Sequence, residues 1–304
     1  MEKRIKQSIF TRTSCFRNLK SLTGETPLIN VSSRLYAKLE TYNPSGSVKD
    51  RMVGYLVDRG ILYGEIDDQT ILCEATSGNT GISLAMIAAS LGLPCLIFMP
   101  RNMSIERREM MESYGAKIID APDNDFSAAI CLRDKFLDSN KRAWSPNQFH
   151  NNRNVECHMT TTAHEIHKQV VSSVNRPWAA FIHGSGTGGT IEGVRRYTKS
   201  NGLHTRICLV KPKESPHGIQ GIGDGKEFLA KFEDMDEILE VSTEEAINRS
   251  KQLSRENGLY VGISSGANVV ASEKWIKMNN PIGIVVTMLC DRGERYASIY
   301  QKKE

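Results

Sequence analysis

From residue 36 onward the chain alternates short runs rich in β-branched and apolar residues with longer amphipathic stretches. Strand, helix, strand in repeated order is the pattern of an α/β protein built on a mostly parallel sheet. The runs at 36–39, 70–74, 95–99, 117–120, 179–183, 207–211 and 282–288 read as strands. Residues 79–91 read as a helix ended by Gly92, and 104–114 as another, with Ser104 as N-cap and Gly115 past its end. Ser242 followed by Glu245 is a capping box, which opens a helix that Gly258 closes.

A chain of 304 residues has room for about two domains at ~150 residues each. The expected division is a smaller N-terminal lobe over 36–150, with a mobile block near 79–120, and a larger lobe made of 1–35 and 151–304. The polar stretch 138–154 is the candidate outer edge of one lobe. With 39 basic and 35 acidic residues scattered along the chain, no basic block of the kind that binds nucleic acid stands out. No apolar run reaches the ~18 residues that a membrane span needs. The basic opening segment lacks an apolar core and a small-residue cleavage site, which favours a cytoplasmic arm over a targeting segment. Seven cysteines, an odd number with no CxxC pair, point to reduced thiols and no zinc knuckle.

Four segments set unusual backbone freedom beside reactive or hydrogen-bonding side chains. In Asn43-Pro44-Ser45-Gly46-Ser47-Val48-Lys49-Asp50-Arg51 a Pro/Gly turn delivers one lysine to the start of a helix. Partial desolvation there makes a neutral amine available for Schiff-base chemistry, although a solvated lysine at a helix start has the same local sequence. Glu74-Ala75-Thr76-Ser77-Gly78-Asn79-Thr80-Gly81 joins a strand to a helix, where free N–H groups suit a carboxylate or phosphate and a plain N-cap fits equally well. His183-Gly184-Ser185-Gly186-Thr187-Gly188-Gly189-Thr190 is a candidate phosphate cradle. It is neither GxxxxGK[ST] nor a good dinucleotide fingerprint, so a small phosphate monoester suits it better. Gly262-Ile263-Ser264-Ser265-Gly266-Ala267 opens a further helix, and its hydroxyls serve either a polar ligand edge or an N-cap.

Together these segments resemble the cysteine synthase (O-acetylserine sulfhydrylase) and cystathionine β-synthase family of fold-type II pyridoxal-phosphate (PLP) enzymes, from Thr23-Gly24-Glu25-Thr26-Pro27-Leu28 to Gly293-Glu294-Arg295-Tyr296. The resemblance implies the two-lobed, tryptophan synthase β-like fold, each lobe a mostly parallel twisted sheet with flanking helices. It also implies that Lys49 carries PLP as a Schiff base and acts as the catalytic residue. Asn79 would contact the cofactor's 3′-oxygen, Gly186, Thr187, Gly188, Gly189 and Thr190 its phosphate, and Ser264 its pyridine nitrogen. Thr76, Ser77, Thr80 and Gln148 would bind the substrate α-carboxylate, and Gly221 lies in Gly218-Ile219-Gln220-Gly221-Ile222-Gly223, which would line the substrate side. A neutral hydroxyl at the pyridine nitrogen leaves the cofactor a weaker electron sink than an aspartate would, which favours β-elimination over transamination.

The implied activity is β-replacement of O-acetyl-L-serine by sulfide to give L-cysteine and acetate, in a cytoplasmic homodimer with an amino-acid substrate and a serine acetyltransferase as possible partner. Alternatives are the same chemistry with O-phosphoserine, thiosulfate, homocysteine or an amino acid, and a catalytically silent binding protein. Cys290-Asp291-Arg292-Gly293 resembles the B-type cysteine synthases and Pro216-His217-Gly218-Ile219-Gln220-Gly221 the A-type. His150-Asn151-Asn152-Arg153-Asn154 and His183 depart from the common family pattern. His158, His164 and His167 lack the spacing of a zinc site, so no metal is expected, and Trp144, Trp178 and Trp275 read as packing residues.

Overall fold

The computed structural model describes residues 13–223 and 228–301. Its strands are β1 Leu28–Ser32, β2 Leu35–Leu39, β3 Ile71–Ala75, β4 Cys95–Pro100, β5 Lys117–Ala121, β6 Ala143–Trp144, β7 Trp178–Gly184, β8 Arg206–Pro212, β9 Glu237–Val241 and β10 Ile284–Leu289. The principal helices are α1 Thr13–Ser21, α2 Lys49–Leu62, α3 Asn79–Leu91, α4 Ile105–Ser113, α5 Phe126–Ser139, α6 Arg153–His158, α7 His164–Gln169, α8 Gly189–Ser200, α9 Thr243–Asn257 and α10 Ile263–Asn279. Contacts divide the chain into two units, one of Val53–Pro146 with the segment up to Leu22, the other of Thr23–Met52 with the chain from Asn147 on.

The first unit holds a four-stranded, all-parallel sheet in the order β5-β4-β3-β6. Helix α3 is buried along nearly its whole length, and Gly92 ends it in the left-handed conformation at φ 74°. Its small and apolar residues suit that burial, because a helix that is apolar all round has no solvent face. Cys73, Ala75 and Phe98 pack with Ala129 of α5, and Phe136 tilts against Phe98 at 5.9 Å.

The second unit holds a six-stranded sheet in the order β1-β2-β10-β7-β8-β9, parallel except for β1 against β2. Both faces are covered, as parallel sheets require. Ala180, Ile182, Cys208, Val210, Val285 and Leu289 face the α9 and α10 side, while their neighbours Phe181, Ile207, Leu209, Val286 and Met288 face the α8 side. The α9 capping box forms as the sequence predicts, with Ser242 Oγ accepting from Glu245 N and Glu245 Oε2 from Ser242 N.

The seven predicted strands form with ends shifted by at most two residues. Three further strands, β1, β6 and β9, lie at sheet edges and are only partly buried, so they carry no continuous apolar run. The helical run 153–174, which passes through two π-helical segments, is also unannounced by its Asn-rich start and its three consecutive threonines, all weak helix formers. No helix among the described residues is long and apolar enough to cross a membrane.

Candidate active site

Lys49 is the first residue of α2, and the turn before it is held from several directions. Val48 N donates to Cys290 O at 2.8 Å, Arg292 N to Gly46 O at 3.2 Å, and Arg295 to the carbonyls of Gly46 and Ser45. Asp50 accepts from Ser45 N at 2.6 Å and from the Ser45 hydroxyl. Gly46 stands at φ +87°, and a side chain there would meet Arg292. The lysine therefore leaves a clamped turn.

Below that turn lies a buried charge cluster with equal numbers of each sign. Arg51 pairs with Glu40 at 2.6 Å and with Glu165 at 2.6 Å, and Lys38 pairs with Glu165 at 2.8 Å. Thr26 and Asn43 donate to the Glu40 carboxylate at 2.8 and 2.7 Å, which takes up its remaining acceptor capacity. Burial alone would raise the Glu40 pKa, but the Arg51 guanidinium holds the carboxyl below its ordinary value.

The glycine-rich segment after β7 leads into α8, with Gly188 at φ +86°. A Cβ on Gly186 would stand 2.7 Å from Gly221 O, and one on Gly188 2.6 Å from Ala230 N. Backbone freedom and close approach thus both require glycine at Gly188. The loop at Gly221 lies against the cradle, where Gly223 N donates to Ser185 O at 2.8 Å. Asn154 Nδ2 donates to Thr187 Oγ1 at 3.0 Å and to Gln148 O at 3.0 Å, bringing Gln148 to the same place. Thr190 Oγ1 meets His158 Nε2 at 3.2 Å, and His158 Nδ1 meets Thr162 Oγ1 at 2.9 Å. The hydroxyl of Ser185 is buried with no hydrogen-bond partner among the described residues. Glu192, the one acid in the first turn of α8, is taken by Arg195 and Arg196, each at 2.7 Å.

Ser264, in the first turn of α10, is buried near the Cys290 thiol. Burial, with Asp291 beside it, pushes that thiol up to about 12, so it stays protonated. His183, at the end of β7, is held down to about 3 by burial and by the Lys49 cation, and is neutral at ordinary pH. Burial and the cations of Arg51 and Lys49 keep His158 well below its ordinary value too. The Lys49 charge is thus felt by two neutral rings and a protonated thiol, while Glu40 is paired with Arg51.

In the other unit, Thr76 closes its own turn by accepting from Gly78 N at 3.0 Å, and Thr80 is buried in the first turn of α3, which contains no acid. Asn79 is the first residue of that helix. Buried Arg107 from α4 donates to Ser77 O at 3.4 Å, a cation beside the predicted carboxylate turn. His164 and His167 pack edge-on against Tyr197, with His167 Nδ1 at 3.0 Å from its hydroxyl.

Several residues at these sites were not singled out from the sequence. Asn154 sits in a stretch that reads as an outer edge but is buried, and Asn268 resembles any mid-helix asparagine. Ser185 stood within a quoted segment, and its hydroxyl was a usable signal.

The sequence matches the pyridoxal-phosphate dependent enzyme family over residues 19–291. A curated relative, cysteine synthase B of Campylobacter jejuni, is 39% identical over 296 residues, covering 92% of this chain and 96% of its own. A hydrogen sulfide-producing enzyme from Fusobacterium nucleatum superposes with a TM-score of 0.88 at 33% identity, covering 96% of this chain and 92% of that one. An O-acetylserine dependent cystathionine β-synthase from Helicobacter pylori superposes at 0.83 and 32% identity, covering 92% and 96%. The α/β architecture, with its mixed and its parallel sheet, is that of these fold-type II enzymes. The chain belongs to the pyridoxal-phosphate dependent enzyme family.

Proposed function

We propose that the chain is a cysteine synthase, replacing the acetoxy group of O-acetyl-L-serine with sulfide to release L-cysteine and acetate. Pyridoxal phosphate is its cofactor. The chain's own residues fit that group. The cradle offers hydroxyls, backbone N–H groups and a helix N-terminus whose first-turn acid, Glu192, is neutralised by two arginines, and the Ser185 hydroxyl, without a partner among the described residues, adds a donor. Gly186, Thr187, Gly188, Gly189 and Thr190 would hold the phosphate. Lys49 would bind the aldehyde carbon, Asn79 the 3′-oxygen and Ser264 the pyridine nitrogen.

When bound, the cofactor supplies an electron sink conjugated to the substrate's amino group. Lys49 Nζ takes the Cα proton, acetate leaves from Cβ with the bonding electron pair, a hydrosulfide electron pair forms the new Cβ–S bond, and Lys49 returns the proton to Cα. Thr76, Ser77, Thr80 and Gln148 orient the substrate through its α-carboxylate, and Gly221 leaves its loop free of side-chain bulk. His183 and His158, with pKa values lowered by burial, are too weak as bases to compete with Lys49 for the Cα proton.

The observation that carries this reading is the placing of Lys49 at the start of α2, on a turn clamped by Cys290, Arg292 and Arg295 and beside the neutral ring of His183. The same half-reaction with homocysteine, thiosulfate, O-phosphoserine or an amino acid is the second reading, favoured by the likeness to the O-acetylserine dependent cystathionine β-synthase. The homodimer, the cytoplasmic location and the docking of a serine acetyltransferase belong to the proposal as well. The test supplies the PLP-loaded protein with O-acetyl-L-serine and, in turn, sulfide, thiosulfate and homocysteine, and measures acetate and the amino-acid product by mass spectrometry. Fastest acetate release with sulfide, giving cysteine, is expected. Preference for another nucleophile by tenfold or more in kcat/KM, which is about 1.4 kcal/mol, would replace cysteine synthase by the second reading.

A further inference from the structure

The side chain of Asn268 of α10 makes four polar contacts, the longest from Nδ2 to Cys290 Sγ at 3.6 Å, and the two to backbone atoms determine how it is oriented. Its Oδ1 accepts from Gly184 N at 2.8 Å, while its Nδ2 donates to Met288 O at 3.0 Å. Turning the amide over would set two donors together at Gly184 and two acceptors together at Met288, so the orientation is decided by the backbone. Nδ2 also meets His183 Nδ1 at 3.2 Å. Because Nδ2 can only donate, Nδ1 of His183 must accept and carries no proton.

A neutral imidazole with an unprotonated Nδ1 carries its hydrogen on Nε2. That nitrogen has no hydrogen-bond partner among the described residues. His183 shares a sheet face with Phe181, whose ring lies 5.7 Å away, and Phe181 packs in the cluster that contains Val48, the residue before Lys49. The charged groups acting on the ring are Lys49 and Glu40, and His158 beside it is itself neutral. Asn268, its contact from α10, does not titrate.

We propose that His183 and Asn268 are a positioning pair for the cofactor carried by Lys49, with Asn268 locking the imidazole proton on Nε2 and the Nε2–H donating to an oxygen acceptor of the cofactor or its amino-acid adduct. The premise is that Lys49 carries the cofactor. A ring that merely fills space would need neither a fixed tautomer nor an open donor. The ring is largely buried, and its open Nε2–H gains a hydrogen bond when a cofactor oxygen accepts from it.

The first experiment records long-range proton–nitrogen spectra of histidine-labelled protein with and without PLP. The expected result is one neutral His183 ring, protonated on Nε2, whose Nε2–H resonance moves when PLP binds. An Nδ1-protonated ring, or an Nε2–H resonance that PLP does not move, would overturn the pair. The second compares PLP dissociation constants and the pH midpoint of the bound cofactor's absorbance in His183→Phe and His183→Gln. Loss of one neutral hydrogen bond should weaken PLP binding about 3- to 10-fold in the phenylalanine variant, with a displaced midpoint, and the amide donor of glutamine should restore both. Wild-type values in His183→Phe, or no restoration by glutamine, would reduce His183 to packing. Lys49→Ala is run beside them. If it keeps the absorbance of lysine-bound cofactor, the premise about Lys49 fails, whereas the spectra of the His183 ring still decide its tautomer.

Discussion

Arg51 and Glu40 meet in a buried two-point ion pair, Nε to Oε2 at 2.6 Å and Nη2 to Oε1 at 2.8 Å, two residues past the lysine that begins α2. Position 51 is thereby tied to β2 and the 3-10 turn after it, while Glu165 ties it to the helical run 153–174. The pair supports the first turn of α2, from which Lys49 projects. Arg51→Leu should destabilise the protein by about 3–5 kcal/mol, because it leaves two buried carboxylates short of a cation. Urea unfolding of the two proteins checks this. A loss under 1 kcal/mol would mean that the cluster relaxes or admits water.

Stability should fall as pH drops below about 6.5. His183 titrates near 3 when folded and near 6.5 when unfolded, so between these values the unfolded chain binds the extra proton and unfolding is favoured. Each such histidine contributes a slope of about 1.4 kcal/mol per pH unit inside its window, and His158, also lowered, acts in the same direction. Glu40 and Glu165 are lowered as well, so their contribution is present above the ordinary carboxylate range and is lost as pH falls through their folded values. Chemical denaturation between pH 5 and 8 should show the histidine part alone, and His183→Phe should flatten it. An unchanged slope in that variant would refute the assignment.

Lys49→Ala should abolish turnover and the visible absorbance of the bound cofactor while leaving the far-ultraviolet circular dichroism of the fold intact, since the amine serves both attachment and proton transfer. Substantial residual turnover would remove Lys49 from its proposed role.

Gly188→Ala should weaken PLP binding by more than about tenfold. It forces a side chain into the left-handed region, at roughly 1–2 kcal/mol, and towards Ala230 N. Thr187→Ala tests the same cradle more gently. Thr187 Oγ1 already accepts from Asn154, which leaves its own proton to donate, so about 3- to 10-fold weaker binding is expected. Equilibrium dialysis against PLP measures both. Wild-type affinity in both variants would place the phosphate elsewhere.

Local chemistry made much of this protein readable in advance. Helix α3 begins at Asn79 and ends before Gly92 as its sequence indicates, and the Ser242–Glu245 capping box forms, because caps depend on residues only a few positions apart. Central strands such as β7 and β10 were legible because a parallel sheet covered on both faces demands an unbroken apolar run. Edge strands β1, β6 and β9 face no such demand, and tertiary pairing alone made them strands. The charge cluster was illegible for a different reason. Lys38 and Glu40 read as ordinary strand and turn charges until Arg51 and, 114 residues beyond it, Glu165 neutralise them. The tautomer of His183 likewise waits on Asn268, 85 residues away. Sequence alone determined which backbone segments could bend towards an anion and which lysine stood at a helix start. Burial then decided the charge states, because desolvation and pairing depend on partners that only the folded chain brings together.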